Sequence, residues 1–183
     1  MPTKQDAATQ TRQRLLEATV RVIHNQGAAA LTLDQVAKEA GVSKGGLLHH
    51  FPSKESLIEA FLRHLFHQFE QCVYEYYQKE PPAAGRLLRA YIHASYADQP
   101  VPLDMAVVLF AQIAQHETLR RMLQEDQQMW HERLVNDGIP APLATVIRQA
   151  CDASWTERLL TDADDGPVTR QTIIDELLRL TRL

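Results

Sequence analysis

The segment from Leu33 to Phe51, LDQVAKEAGVSKGGLLHHF, constrains the fold more than any other part of this chain. Its apolar residues predict two short helices. Gly41 lies between them, where a helix ends best on a residue that tolerates a left-handed backbone. Ser43 is a good N-cap for a second helix over about residues 44–50, which buries Leu47. The pattern indicates a helix-turn-helix, a motif whose second helix enters the major groove of DNA.

Two adjacent glycines make the second helix a poor choice for stability alone. Gly45 and Gly46 each cost roughly 1 kcal/mol relative to alanine in a helix interior, which makes sense where the backbone must approach another molecule closely. Lys44, His49 and His50 beside them can donate hydrogen bonds to phosphates or base edges. The alternative interpretation is a short, loosely packed helix with a basic end. The predicted DNA contacts are Thr32, Ser43, Lys44, Gly45, Gly46, Leu48, His49, His50 and Lys54.

The flanking sequence extends the motif in both directions. Apolar residues at helical spacing predict a helix from about Thr9 to Gln26, and Thr32 with Gln35 fits a capping box. This order of features resembles the N-terminal DNA-binding domain of the TetR family of bacterial transcription regulators, over about residues 9–60. The matching residues are Gly27, Thr32, Val36, Ala37, Gly41, Val42, Ser43, Leu47, Phe51, Pro52, Ser53, Lys54 and Leu57.

The chain departs from the usual family pattern inside the second helix. Family members often carry a hydroxyl residue at the position of Gly46 and tyrosines around residues 48–50, which are Leu, His and His here. The base contacts of relatives therefore do not carry over to these positions. Lys44 becomes the foremost candidate for reading bases, helped by DNA shape and the spacing of two subunits.

Length and composition place the chain among packed helical proteins. Its 183 residues are 45% apolar with only 7 glycines, as expected for one sizeable core or a small domain plus a larger one. No apolar run approaches membrane-spanning length, and the N-terminal residues lack the apolar core of a signal peptide. Cys72 and Cys151 are therefore expected to be reduced thiols in the cytoplasm.

The charge of the chain is unevenly distributed. Residues 1–54 hold seven Lys and Arg against four Asp and Glu, a net of +3. The total of −4 therefore leaves −7 for the remainder. A basic end and an acidic body would orient the protein on a polyanion, and the modest value of +3 favours two copies binding together.

The whole chain is predicted to be all-α, with about nine helices in two domains. A helix-turn-helix domain is predicted at residues 1–52, of which residues 1–8 form a disordered arm. The TetR resemblance implies that residues 53–183 bind a small-molecule inducer and form the dimer. Apolar periodicity and proline breaks predict the later helices over about 53–79, 83–98, 102–115, 117–137, 141–162 and 168–181.

The last two helices carry apolar stripes that suit a homodimer. Two such helices from each subunit would form a four-helix bundle, the dimer mode that the TetR resemblance implies. The alternative is that both stripes pack inside their own chain. The candidate interface residues are Ile147, Ala150, Ser154, Ile174, Leu177 and Leu178.

Aromatic and apolar residues of the second domain are candidates for the wall of an inducer pocket. Asp152 lies one helical turn before Trp155, and a carboxylate beside an aromatic ring favours a cationic aromatic ligand. Taken singly, each of these residues is more often plain core, and a solvated Asp is the ordinary case. The candidate ligand-binding residues are Phe66, Phe69, Tyr96, Met105, Phe110, Trp130, Asp152 and Trp155.

Catalytic and metal signatures do not emerge from the sequence. His64 and His67 have a spacing compatible with a metal, but no third ligand follows from the pattern. We predict no catalytic residue, metal site, cofactor or membrane partner. The sequence predicts a ligand-responsive repressor that binds a pseudo-palindromic operator in double-stranded DNA as a homodimer. A small lipophilic molecule, for which a cation is one option, would release it. The alternatives are a helical small-molecule-binding or catalytic domain with a vestigial helix-turn-helix, and a nucleoid binder of low specificity.

Overall fold

The structure is a computed structural model that describes residues 4–27, 30–97, 103–160 and 169–182, with backbone alone at 4–5, 103–108 and 155–160. Its described residues form helices and no strand, which confirms the all-α prediction. None of these helices is both long and apolar enough to cross a membrane. The helices of this described part are α1 (Lys4–Gln26), α2 (Leu33–Ala40), α3 (Lys44–His50), α4 (Lys54–Lys79), α5 (Arg86–Tyr96), α6 (Leu103–Gln115), α7 (Glu117–Val135), α8 (Ala141–Leu160) and α9 (Arg170–Leu180).

The described residues group into two compact units. The first unit draws on the ranges 1–65 and 100–119, and the second draws on 66–99 and 120–183. The division falls inside α4, so the beginning of this helix belongs to the first unit and the rest to the second.

In the first unit, α1 packs against α2, and α2 packs against α3. Leu15, Val22 and Ile23 of α1 are fully buried because they recur at helical spacing on one face. The Arg14 side chain of α1 also donates a 2.6 Å hydrogen bond to the carbonyl of Ala40 at the end of α2. The first helix therefore holds the helix-turn-helix through both apolar packing and a cap.

In the second unit, α5 is the most deeply enclosed helix and packs against α8 and α9. Residues on every side of α5 are buried, as expected for a helix in the middle of a domain. The fully enclosed indole of Trp130 on α7 belongs to the same core. The buried core residues of this unit are Val73, Leu88, Ala90, Tyr91, Ile92, Ala94, Trp130, Leu134, Ala144, Ile147, Cys151 and Leu177.

Helix α1 begins earlier than predicted, and the cap of α2 follows its prediction only in part. Helix α1 begins at Lys4 rather than near Thr9, so residues 4–8 are helical where the sequence predicts a disordered arm. Its first turn carries Asp6, whose charge is favourable at a helix N-terminus. At α2, Thr32 accepts a hydrogen bond from the Gln35 N–H as predicted. The Gln35 side chain donates to Gln26 instead of closing the capping box.

Helix α5 begins at Arg86, three residues later than predicted, because its N-terminal cap comes from a distant residue. The Asp137 carboxylate accepts a 2.8 Å hydrogen bond from the Leu88 N–H, across 49 positions of sequence. Desolvation raises the pKa of Asp137, and hydrogen bonds from the Leu88 and Leu87 N–H groups oppose that shift. A cap from another helix leaves no local sequence signal.

Candidate DNA-binding helix and ligand site

The turn between α2 and α3 is built from local hydrogen bonds. Gly41 has φ +66°, in the left-handed region that glycine adopts without strain. Its N–H donates to the Lys38 carbonyl and the Val42 N–H donates to the Ala37 carbonyl, which is the Schellman arrangement. Ser43 then accepts a 3.0 Å hydrogen bond from the Gly46 N–H and caps α3, as predicted. The direction of α3 is therefore set by its own turn and caps.

Helix α3 has one buried face and one exposed face. Leu47 is fully buried, whereas Lys44, Gly45, Leu48 and His49 are exposed. An added Cβ at Gly45 would meet no atom within 4 Å, while one at Gly46 would lie 3.2 Å from the Ser43 hydroxyl. Of the other predicted contacts, Thr32 and Ser43 are exposed and Gly46, His50 and Lys54 are half-buried.

The Lys44 ammonium group is paired within the motif. Its Nζ lies 2.9 Å from the Asp34 carboxylate of α2, and both side chains are more than half exposed. An ion pair this exposed contributes little to stability. Lys44 is therefore held near the exposed face of α3 by a partner that can release it at small cost.

The surroundings of His50 disfavour its protonated form. Burial lowers the pKa of His50, and the positive charges of His49 and Arg12 lower it further. His50 is accordingly neutral at physiological pH, with one nitrogen able to donate and one able to accept a hydrogen bond.

In the second unit, three aromatic rings form a compact cluster. Phe69 meets Tyr91 edge-on at a centroid distance of 5.3 Å. Trp130 lies 5.6 Å from Phe69 and 5.2 Å from Tyr91. We call these three residues the aromatic cluster. It includes two predicted ligand-binding residues, Phe69 and Trp130, and adds Tyr91.

The predicted ligand-binding residue Asp152 is attached to this cluster. Its carboxylate accepts a 2.6 Å hydrogen bond from the Tyr91 hydroxyl and a 2.5 Å hydrogen bond from Arg148. The same Arg148 nitrogen donates to Gln127 at 2.8 Å. Burial raises the pKa of Asp152, and the Tyr91 hydrogen bond and the Arg148 charge oppose that shift. Burial also raises the pKa of Tyr91, so the phenol remains protonated and acts as the donor.

A second carboxylate, Asp126 on α7, is half-buried and close enough to Asp152 for their charges to interact. Burial raises its pKa to about 6, and the negative charges of Glu70 and Asp152 add to the shift. Glu70 has an ion pair with Arg133 at 2.9 Å, and Asp152 has one with Arg148. Among the residues that the structure describes, Asp126 has no such partner. The carboxylates therefore outnumber the positive charges among Glu70, Asp126, Arg133, Arg148 and Asp152.

Replacing Asp126 by asparagine is expected to stabilise the protein at neutral pH. The folded-state pKa of about 6 exceeds the ordinary 3.8, so wild-type stability falls as pH rises through this range. A shift of this size corresponds to about 3 kcal/mol, which solvent screening of a half-exposed carboxylate reduces to about 1 kcal/mol. Urea unfolding at pH 4.5 and 7.5 checks this. Glu125→Gln is the control for charge loss, and an equal gain from Asp126→Asn at both pH values would contradict the assignment.

The remaining predicted ligand-binding residues are not part of the aromatic cluster. Phe66 and Tyr96 are half-buried in the second unit. Phe110 belongs to the first unit, with 48% of its surface exposed. The Met105 and Trp155 side chains lie outside the described residues. Sequence reasoning missed Tyr91, Asp126, Gln127 and Arg148, although the spacing of Arg148 and Asp152 on one helix was a usable signal.

The six predicted dimer residues differ in burial within a single chain. Ile147, Ser154 and Leu177 are buried, with Ile147 fully enclosed by its own core. Ala150, Ile174 and Leu178 are half-buried against that core. The last three residues are the ones with surface left for a second subunit.

Comparison with known proteins extends to both parts of the chain. Residues 15–61 match the family described as bacterial regulatory proteins, tetR family. Residues 85–182 match the tetracyclin repressor-like C-terminal domain. These matched ranges include α3 as well as the Tyr91 and Asp152 positions.

Curated regulators are similar to most of this chain, and a solved structure shares its fold. The HTH-type transcriptional regulator BetI of Rhizobium meliloti is 30% identical over 88% of this chain and 78% of its own length. The regulator of the same name from Burkholderia mallei is 30% identical over 67% of this chain, and the match spans 65% of that relative. The multidrug binding protein EbrR, solved in complex with malachite green, aligns with a TM-score of 0.64 and 23% identity, covering 92% of this chain and 96% of that chain.

The helix-turn-helix geometry, the helical fold and the two family matches agree with one another. The chain is thus a member of the TetR family of bacterial transcription regulators.

Proposed function

We propose that this regulator is a homodimeric repressor that binds a pseudo-palindromic operator and is released by a small lipophilic cation. In this proposal, residues 1–52 form the DNA-binding domain and residues 53–183 the ligand-binding and dimerisation domain. The predicted DNA contacts of the sequence analysis and the half-buried residues Ala150, Ile174 and Leu178 retain their proposed roles. The observation that carries the DNA-binding part is the exposed face of α3, with Lys44 and Gly45 on it.

The class of inducer follows from the chemistry around the aromatic cluster. Asp152 is a partly buried carboxylate bonded to Tyr91 of the aromatic cluster. Asp126 is a second carboxylate with restricted access to water, close enough to Asp152 for their charges to interact. Aromatic faces and carboxylates both attract a cation, and a lipophilic cation loses little hydration on leaving water. EbrR was solved with malachite green, an aromatic cation, which makes that dye a suitable first probe for this chain.

Selection of bound fragments from a random DNA pool tests the DNA-binding part. We expect a pseudo-palindrome whose half-sites lie about 34–36 Å apart, one turn of DNA. Lys44→Ala should then weaken binding to the selected operator by about 1–3 kcal/mol, the range for a side chain that reads a base. Lys79→Ala, which removes an exposed lysine at the far end of α4, is the control. Unchanged affinity of the Lys44 variant would favour the alternative of a vestigial helix-turn-helix.

Asp34→Asn is expected to reduce discrimination between operator and unrelated DNA. The Asp34 carboxylate forms an ion pair with the Lys44 ammonium group. In the proposed complex it places a negative charge where the DNA phosphates approach. Its neutralisation should strengthen binding to scrambled DNA by about threefold to tenfold, and to the operator by less, because nonspecific affinity is dominated by charge. Fluorescence anisotropy with both DNAs at several salt concentrations measures the ratio. Glu39→Gln removes the same charge from the Arg21 pair instead, and an identical effect from both variants would show that net charge alone matters.

A further inference from the structure

We infer that Arg148 is an internal substitute for the ligand's positive charge, holding Asp152 in the ligand-free protein and leaving it when a cation binds. This inference rests on the proposed function, because it assumes that Asp152 contributes to the inducer site. It makes Arg148 a specificity-determining residue of the proposed site.

Arg148 contacts Asp152 through only part of its guanidinium group. One terminal nitrogen of Arg148 donates to both Asp152 and Gln127, at 2.5 and 2.8 Å. The Nε of the same guanidinium is buried and has no hydrogen-bond partner among the described residues. A structural Arg–carboxylate pair gains most from two parallel hydrogen bonds. Arg148 gives Asp152 a hydrogen bond from one nitrogen instead of two parallel ones. A ligand cation can therefore replace this contact more easily.

Both side chains of the Arg148–Asp152 pair are mostly buried. The Arg148 side chain is 14% exposed and that of Asp152 is 28% exposed. At this burial a carboxylate needs a positive partner, and removal of that partner is costly. Asp152 therefore retains a cation at all times, supplied either by the protein or by a ligand.

The Asp152 carboxylate also has a second contact, with Tyr91 of the aromatic cluster. Asp152 accepts a hydrogen bond from Tyr91 through its other oxygen, and the Tyr91 ring packs against Phe69 and Trp130. A cation that replaced Arg148 at this carboxylate would come close to aromatic surface. Arg148 lies on a long, flexible stem in a partly exposed position, so its charge can return to water as the ligand enters.

The consequence is a filter on ligand chemistry. A neutral ligand that displaced Arg148 would leave the Asp152 carboxylate without a positive partner, so it is rejected. A strongly hydrated small cation gains too little from the aromatic rings to compete with the attached guanidinium. Lipophilic cations satisfy both conditions, and competition with Arg148 raises the concentration at which they bind.

The test compares variants of the full chain by isothermal titration with tetraphenylphosphonium and, as a neutral analogue, triphenylphosphine oxide. Arg148→Met removes the internal cation while keeping an apolar stem. We expect it to bind tetraphenylphosphonium about tenfold more tightly than wild type, with no matching gain for the neutral analogue. Arg148→Lys retains a charge and should bind close to the wild-type affinity. Arg121→Gln, an exposed arginine paired with Glu125, is the control for loss of one positive charge.

Each outcome of this comparison decides the matter. Arg148→Gln serves as the second variant if the Met variant does not fold, and circular dichroism checks both. Unchanged or weaker phosphonium binding by the charge-removing variants would overturn the inference while leaving the proposed cation site intact. If the Asp152→Asn variant binds tetraphenylphosphonium as tightly as wild type, both the Arg148 inference and the proposed cation site would be overturned. Absence of phosphonium binding in wild type and Arg148→Met alike would overturn the cation proposal itself. A gain retained in the double variant with Asp152→Asn would show that Arg148 acts elsewhere.

Discussion

Replacing Gly45 by alanine should stabilise the free protein and abolish most of its operator binding. The new Cβ meets open space on the exposed face of α3, so the helix gains about 1 kcal/mol from the better propensity of alanine. If the Gly45 backbone approaches DNA closely, the same methyl group holds the helix away from the groove. We expect operator affinity to fall by about 100-fold or more, which corresponds to about 3 kcal/mol.

Urea unfolding and anisotropy titration of the same samples measure the two effects of Gly45→Ala. Gly46→Ala is the paired variant: its Cβ would lie 3.2 Å from the Ser43 hydroxyl that caps α3. It should therefore lack the gain in stability. Wild-type operator affinity in the Gly45 variant would show that the backbone of α3 does not approach DNA at this position.

The largest loss of stability is expected from Arg89→Ala in the second unit. The Arg89 side chain is 5% exposed and lies 2.8 Å from the Glu80 carboxylate, which is 17% exposed. It also donates to the Ala84 carbonyl at 2.8 Å. Truncation leaves the Ala84 carbonyl without this donor and the largely buried Glu80 carboxylate with the more distant His93, at 3.6 Å. Losing one partner of a buried ion pair costs about 3–5 kcal/mol.

Both tryptophans, Trp130 and Trp155, fall in the sequence range of the second unit, so their fluorescence during urea unfolding reports this loss. Arg179→Ala is the matched control, because its pair with Glu176 is exposed on α9 and should leave the unfolding midpoint unchanged. Equal behaviour of the two variants would mean that burial of the Arg89 pair does not determine its contribution.

The helix-turn-helix was predictable because its determinants are local. Ser43 caps α3 by accepting a hydrogen bond from the Gly46 N–H, three residues away, and Gly41 ends α2 directly after its last residue. Such signals are contained in a short window of sequence, and the structure confirms both. The exception is Gln35, which was expected to complete a capping box but bonds to Gln26 on the preceding helix. A tertiary partner replaced the local one.

The ligand site was only partly predictable because its contacts are long-range. Asp152 was selected for its nearness to Trp155, whereas its observed partners include Tyr91, 61 positions earlier. No periodicity within α5 or α8 indicates that those two side chains meet. Arg148 was within reach of sequence reasoning, since it precedes Asp152 by one helical turn on α8. The Asp137 cap of α5 was hidden for the same reason as Tyr91, because it comes from another helix.

Footprinting on the selected operator, with increasing tetraphenylphosphonium, shows whether a lipophilic cation controls DNA binding by a dimer. We expect two protected half-sites about one DNA turn apart. Both should be lost together over the concentrations at which the cation saturates the purified protein. Protection of one unpaired site, or a paired footprint that persists when the protein is saturated with cation, would contradict this expectation.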